Sequence, residues 1–264
     1  MKSQKKYFIF LLSFLTISLG YSQKDAQNKN GIDTATTMVW TGANFSIDFP
    51  FGKGYLSETF TFNYNVGTRL ILKTKTNWTF DFFFNYMFGS NIKLSSDEVF
   101  GDLIDNNGSI FDKNGLKATI YIEGRYWAFG GAVGKIIPVD RWKNSGIWLR
   151  TSFGYLGHKI FITDPDNLVV GLERTTYRKG YDRLSTGFCM TQFAGYLFMR
   201  KKRAASFYTG IEISEMWTKP YRNYIFPVGS TTEMPGKFSG MFSIKIGWIV
   251  PLYEKKVVTT LYKY

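Results

Sequence analysis

Residues 78–89 read WTFDFFFNYMFG, and the period of this stretch decides the fold. In an extended chain Trp78, Phe80, Phe82, Phe84, Tyr86 and Phe88 share one face, while Thr79, Asp81, Phe83, Asn85 and Met87 share the other. A soluble sheet turns its aromatic face to a core and its polar face to water. A membrane barrel does the reverse, with aromatic side chains toward lipid and polar groups in the lumen. Length favours the second arrangement. A tilted strand needs roughly 9–11 residues to cross hydrocarbon, whereas strands of soluble proteins average about 5–6.

The same alternation recurs at 38–49, 58–72, 78–89, 118–137, 146–162, 184–198, 205–217 and 237–250. Eight strands of such length are poor material for a secreted sandwich, which leaves a soluble lipocalin-like barrel as the other competing architecture. The connections alternate too. Segments 73–77 (KTKTN), 138–145 and 200–206 (RKKRAAS) are short, while 90–117, 163–183 and 218–236 are long, and 50–57 falls on the long-loop side. Short turns at one end and long loops at the other mark an outer-membrane barrel, and an even strand number returns the chain to its starting side. The expected fold is all-β, an antiparallel transmembrane β-barrel of eight strands over residues 37–251, with long outer loops and short periplasmic turns.

Composition fits. The 264 residues include 25 Phe, 17 Tyr and 7 Trp, yet mean hydropathy is slightly negative at −0.15. After residue 22 no apolar run reaches 20 residues, which excludes a helical membrane bundle. A single cysteine, Cys189, excludes a disulfide framework or a multi-cysteine zinc site, and a single histidine, His158, leaves little room for imidazole ligation. No metal and no cofactor are expected. Asp164-Pro165-Asp166-Asn167 lacks the glycine and distal glutamate of a calcium loop and reads as a turn. In the 90–117 loop, Ser96-Asp97-Glu98 before Val99 and Phe100 has the pattern of a short helix start, either an exposed interaction element or a folded lid.

Lys2, Lys5 and Lys6 precede an apolar run from Tyr7 to Leu19, followed by Gly20-Tyr21-Ser22. This pattern predicts a cleaved secretory signal peptide over 1–22 and export to the bacterial outer membrane. Residues 23–36 (QKDAQNKNGIDTAT) read as a flexible periplasmic leader, and 252–264 as a periplasmic tail.

The strand-turn-strand GTRLILKTKTNWTFDFFFNYMFG, the segment GHKIFITDPDN with YRKGYDRLSTGF after it, and the ending KIGWIVPLYEKK with LYKY carry a resemblance. On these residues the chain resembles an uncharacterised family of outer-membrane β-barrel proteins from Bacteroidetes, over nearly all of the mature chain. Its plan is similar to the small eight-stranded barrels of the OmpA and OmpX type. The resemblance implies location and fold and carries no activity. One departure stands out: those barrels end on an aromatic residue that closes the last strand, whereas here a tail follows Pro251.

Two charge groupings are candidates for function. Taking the less apolar face of each strand as inward collects Asp48, Asp81, Glu123 and Glu212 against Arg69, Arg125, Arg150 and Lys245, with Ser152, Thr191, Ser214, Ser239, Ser243 and Cys189 between them. Buried charges persist when paired, and an eight-stranded barrel is just wide enough for side chains to fill. An ion-pair network plugging the lumen is expected, with a narrow channel as the alternative. The second grouping is a basic rim. The periplasmic turns and tail gather Lys73, Lys75, Arg141, Lys143, Arg200, Lys201, Lys202, Arg203, Lys255, Lys256 and Lys263 against Asp140 and Glu254. Basic residues at a rim meet anionic headgroups, so outer-membrane lipid is the first expected partner. A periplasmic protein or anionic envelope polymer docking on Arg200–Arg203 is the sharper reading. The run lacks the aromatic platform of single-strand binders, so no nucleic acid is expected.

His158, near the loop end of the fifth strand, is the one candidate for lipid-modifying catalysis, with Asp164, Asp166 or Glu173 as partners. No serine motif accompanies it, and a lone histidine at a strand end is more often an ordinary rim residue. The function expected from the sequence is a non-enzymatic structural or interaction role.

Overall fold

The computed structural model describes residues 38–139, 145–166, 168–173, 175–199 and 206–252. Eight long strands form a closed antiparallel barrel: β1 (Met38–Gly52), β2 (Asn63–Lys73), β3 (Trp78–Gly89), β4 (Tyr121–Pro138), β5 (Gly146–Thr163), β6 (Ser185–Phe198), β7 (Ser206–Pro220) and, after a short hairpin of β8 (Tyr224–Ile225) and β9 (Gly229–Ser230), β10 (Lys237–Leu252). Consecutive barrel strands are neighbours, and β10 closes on β1 in a register running from Val39 opposite Leu252 to Gly52 opposite Ser239. Closure leaves no unpaired edge, as backbone amides in lipid require.

The period of two in 78–89 appears directly as burial. Thr79, Asp81, Phe83, Asn85 and Met87 are buried, while Phe80, Phe82 and Phe84 are exposed. Around the barrel the exterior carries Phe45, Leu70, Phe82, Phe153, Phe188, Ile213, Ile244 and Trp248, with Phe188 70% and Phe82 58% exposed. Inside, Lys245 is 1% exposed. An exterior this apolar around an interior this polar is a wall facing lipid.

Curvature has a local cause. Gly195 and Gly210 face each other on the inner side of β6 and β7, and a Cβ on Gly210 would meet the Gly195 Cα at 2.5 Å and the Phe193 ring at 2.9 Å. The strands approach closely there because neither residue has a side chain. At the same end of the barrel, the tight turn between β2 and β3 places Asn77 at φ 65°, a conformation asparagine tolerates, and closes with Thr74 N–H donating to the Trp78 carbonyl at 2.8 Å.

Several strand limits differ from the sequence expectation by up to three residues, as at Gly52, Tyr121 and Pro220, and two differences matter to the fold. The second segment, expected over 58–72, starts at Asn63, because Tyr55–Thr59 form a short helix, α1. Leu56 and Phe60, one turn apart, are both fully buried and fold back into the barrel mouth. Gly54 begins the helix where a Cβ would lie 2.4 Å from the Phe238 carbonyl oxygen, and its N–H donates to Ser57 Oγ at 3.0 Å. The last strand continues through Pro251 to Leu252, with Pro251 opposite Trp40 on the closing seam. The signal peptide at 1–22, the leader at 23–36 and tail residues beyond 252 lie outside the described residues.

Side chains fill the lumen in three layers. At the turn end Trp40, Ile71, Ile136, Trp148, Phe193, Leu197, Tyr208 and Ile249 form an apolar floor. Charged and hydroxyl side chains occupy the middle. Leu56, Phe60, Phe83, Met87, Tyr126, Leu156, Cys189, Met216 and Met241 form an apolar ceiling. Above it the long loops make a satellite core of Val99, Phe100, Ile110, Ile160, Ile162, Val169, Leu172 and Tyr181. Helix α2 (Ser96–Phe100) supplies the first two. Ser95 caps it by accepting from the Glu98 N–H, while the Glu98 carboxylate accepts from the Ser95 N–H at 2.8 Å.

Candidate functional site

The middle layer is built around one carboxylate. Glu212 on β7 receives Lys245 Nζ from β10, lies 3.5 Å from Arg150 Nη2 on β5, and lies 3.9 Å from Arg69 Nη2 on β2. Arg69 Nη1 also donates to Asp81 Oδ1 at 2.6 Å. The ions are further held by rings: the Arg150 guanidinium sits 4.5 Å from the Phe193 ring centre and 4.6 Å from that of Trp148, and Arg69 sits 5.0 Å over Phe83. Asp48 is secured by neutral donors, Ser46 Oγ at 2.8 Å and Asn65 Nδ2 at 2.9 Å. Thr191 and Ser214 hydroxyls bond at 3.1 Å beside them, and Ser152, Ser239 and Ser243 are buried in the same interior.

Glu123 and Arg125 are not in the lumen. On β4 the inward positions are Gly124, Tyr126, Ala128, Ala132, Gly134 and Ile136, and the outward ones are Tyr121, Glu123, Arg125, Trp127, Phe129 and Val133. Both faces of this strand look apolar in sequence, so the charges misdirect the reading. The crowded lumen needs small residues, and those set the parity. Arg125 and Glu123 instead pair with each other on the exterior near the loop end, half-exposed, with Arg125 donating to Tyr86 Oη at 3.2 Å and lying 4.9 Å over Phe161.

The basic rim also divides. Lys75 is exposed in the tight turn, but Lys73 is fully buried, turned into the lumen floor by the parity of β2, with its Nζ donating to the Thr74 carbonyl at 3.2 Å. A residue next to the turn still obeys strand alternation. Lys135, absent from the expected rim, stands on the outside of the turn end, where it donates to the Thr76 carbonyl at 2.7 Å and lies 4.9 Å over Trp78. Its parity with Val133 and Phe129 was the available signal. Arg200, Lys201, Lys202, Arg203, Lys255 and Lys256 lie outside the described residues.

His158 is 2% exposed, inside the barrel under the Phe60 ring, which meets it edge-on at 6.0 Å. Asp164 is turned to its own loop, accepting from the Val169 N–H at 3.0 Å, and Asp166 and Glu173 are exposed. The imidazole is thus buried in the layer that holds Phe60 and Leu156, while Asp166 and Glu173 stand exposed on the loop. Among the described residues no cluster of three or more His, Cys, Asp and Glu is placed to hold a metal ion.

No family model and no curated protein matches the sequence. Among solved structures, the attachment invasion locus protein Ail of Yersinia pestis is similar at 8% identity and a TM-score of 0.40, covering 81% of this chain and 99% of that one. Ail in complex with the heparin analogue sucrose octasulfate is similar at 9% identity and 0.39, with the same coverage. Neisserial surface protein A follows at 10% identity and 0.39, covering 79% and 95%. No residue role transfers at this level of similarity.

Proposed function

We propose that the chain is an integral outer-membrane protein of the bacterial envelope, exported by a cleaved signal peptide, that performs a structural or interaction role without catalysis. The long loops face outward, and the short turns face the periplasm. The lumen conducts nothing, because the ion pairs of Asp81, Arg69, Glu212, Arg150 and Lys245 plug it between two apolar layers. One observation carries this reading: a lipid-facing exterior encloses an interior filled by side chains along its whole depth. The resemblance to the Bacteroidetes barrels supports the location. Its immediate partner is outer-membrane lipid, and Lys75 with Arg200–Arg203 offers a basic inner rim to a periplasmic protein or an anionic envelope polymer.

Conductance tests the plug. Purified protein in a planar bilayer should give no sustained ion-selective steps, and stable channels from the monomer would overturn it. Replacing Arg200, Lys201, Lys202 and Arg203 by Gln should reduce co-purification of a periplasmic partner while leaving heat-modifiable folding on a gel intact. Full retention of partners would remove the rim from the reading.

A further inference from the structure

On the outside of the barrel, at the loop end, β5 parts from β6. Beyond His158, opposite Ser185, β5 continues without β6 beside it, and the Ile160 N–H turns to the Asp182 carbonyl at 2.7 Å. The gap is a cleft of about 160 Å³ lined by Lys159, Phe161, Arg178, Lys179, Asp182 and Arg222. Four side chains are cationic and one is a carboxylate. That carboxylate is already engaged: Arg222 donates to both its oxygens, Nε to Oδ1 at 3.1 Å and Nη2 to Oδ2 at 2.6 Å. Arg178 is fixed by its Nε donating to the Leu172 carbonyl. Lys159 and Lys179 form no ion pair among the described residues.

A second observation concerns the strand face below the cleft. Lys159 stands directly opposite Arg125 across β4 and β5, and because Glu123 pairs with Arg125 alone, this cross-strand pair keeps one net positive charge. The Phe161 ring lies between them, 4.9 Å from Arg125 and 5.8 Å from Lys159. Two residues nearer the turn end, Trp127 stacks on Phe129 at 5.8 Å and packs on Tyr155 at 5.9 Å. Such an exterior aromatic cluster marks the membrane interface, and two residues of strand rise about 7 Å. The cations therefore sit at headgroup height, on the lipid side of the wall.

We propose that this cleft binds the phosphate of an anionic lipid headgroup in the leaflet facing the long loops, with Lys159 and Lys179 as its principal donors and Arg178 as wall. The inference rests on the lipid-embedded orientation given above. A free phosphate shares the chemistry, but continuity of the cleft with the Arg125 and Trp127 face favours an occupant anchored in the bilayer.

The test uses folded full-length protein in neutral detergent, with phosphatidic acid, phosphatidylcholine and inorganic phosphate as probes, read by native mass spectrometry. Phosphatidic acid should be retained over phosphatidylcholine. Lys159→Gln with Lys179→Gln should weaken that retention about tenfold, while Lys113→Gln with Lys117→Gln, a basic pair in another exposed loop, should not. Should the double variant fold poorly, Lys179→Gln alone, in an exposed loop, carries the test. Equal retention of the two lipids, or retention unchanged by substitution, overturns the site. Displacement by inorganic phosphate at equal concentration overturns the lipid assignment. Protease cleavage of the 105–116 loop on intact cells checks the orientation separately: loops protected there while phosphatidic acid still binds would refute the orientation and leave the cleft standing.

Discussion

Three cations, Arg69, Arg150 and Lys245, converge on the carboxylate of Glu212, and Asp81 takes the other side of Arg69. Removing the hub strands positive charge in the barrel. Glu212→Gln should destabilise the folded protein by about 3–5 kcal/mol, measured by urea unfolding in lipid vesicles. Arg150→Met should cost less, because the Trp148 and Phe193 rings that hold the guanidinium accept an apolar chain of similar length. A separate expectation concerns Asp112 in the long loop. Its Oδ1 accepts from the Asn114 and Leu116 N–H groups, both at 2.8 Å, and these bonds hold its carboxyl below the usual aspartate range. A depressed folded pKa gives a contribution present above the unfolded value, near 3.9, and lost as pH falls through the folded one. The Leu116 amide resonance should therefore titrate at lower pH in the folded protein than it does in the urea-unfolded chain. Residue by residue, legibility followed parity. Asp81 and Phe83 could be placed from the aromatic stripe alone, while Glu123 and Arg125 could not, because β4 carries Trp127 and Phe129 on one face and Tyr126 and Ile136 on the other.

Strands and helices differ in what the sequence discloses. A long strand repeats its signal every second residue, so β3, β5 and β6 were readable nearly to their ends. The five-residue α1 has room for a single pair, Leu56 and Phe60, and that pair mimics a strand start when read with Phe62 and Tyr64. Helix α2 was readable because Ser96-Asp97-Glu98 before Val99 and Phe100 announces a helix start, although the cap itself is Ser95, one residue earlier. The two short helices also do different work, since α2 holds the loop core and α1 stops the barrel mouth. Phe60→Ala should cost about 3–5 kcal/mol and also uncover His158. Diethyl pyrocarbonate should then modify His158 rapidly in the folded variant and hardly at all in the wild type. Equal slow modification in both would show that Leu156 and its neighbours seal the site without α1.

For the molecule as a whole, the arrangement of polarity is inverted relative to a soluble domain, and stability comes from a narrow interior rather than a broad apolar core. Cys189 lies in the ceiling layer at 5% exposure and reports on that interior. It should resist maleimide in the folded barrel and react fully only after unfolding, whereas reaction in the folded state would reveal an opening lumen. The closing seam carries a further consequence. Because β1 joins β10 from Val39–Leu252 to Gly52–Ser239, the contact that closes the barrel connects residues near opposite ends of the described chain. A chain halted before β10 would present two rows of unpaired amides to hydrocarbon, each group costing several kcal/mol. No seven-stranded species can rest in the membrane on those terms. Closure thus makes completeness a condition of stability: the seam needs both β1 and β10, and a copy lacking either is left with an open edge.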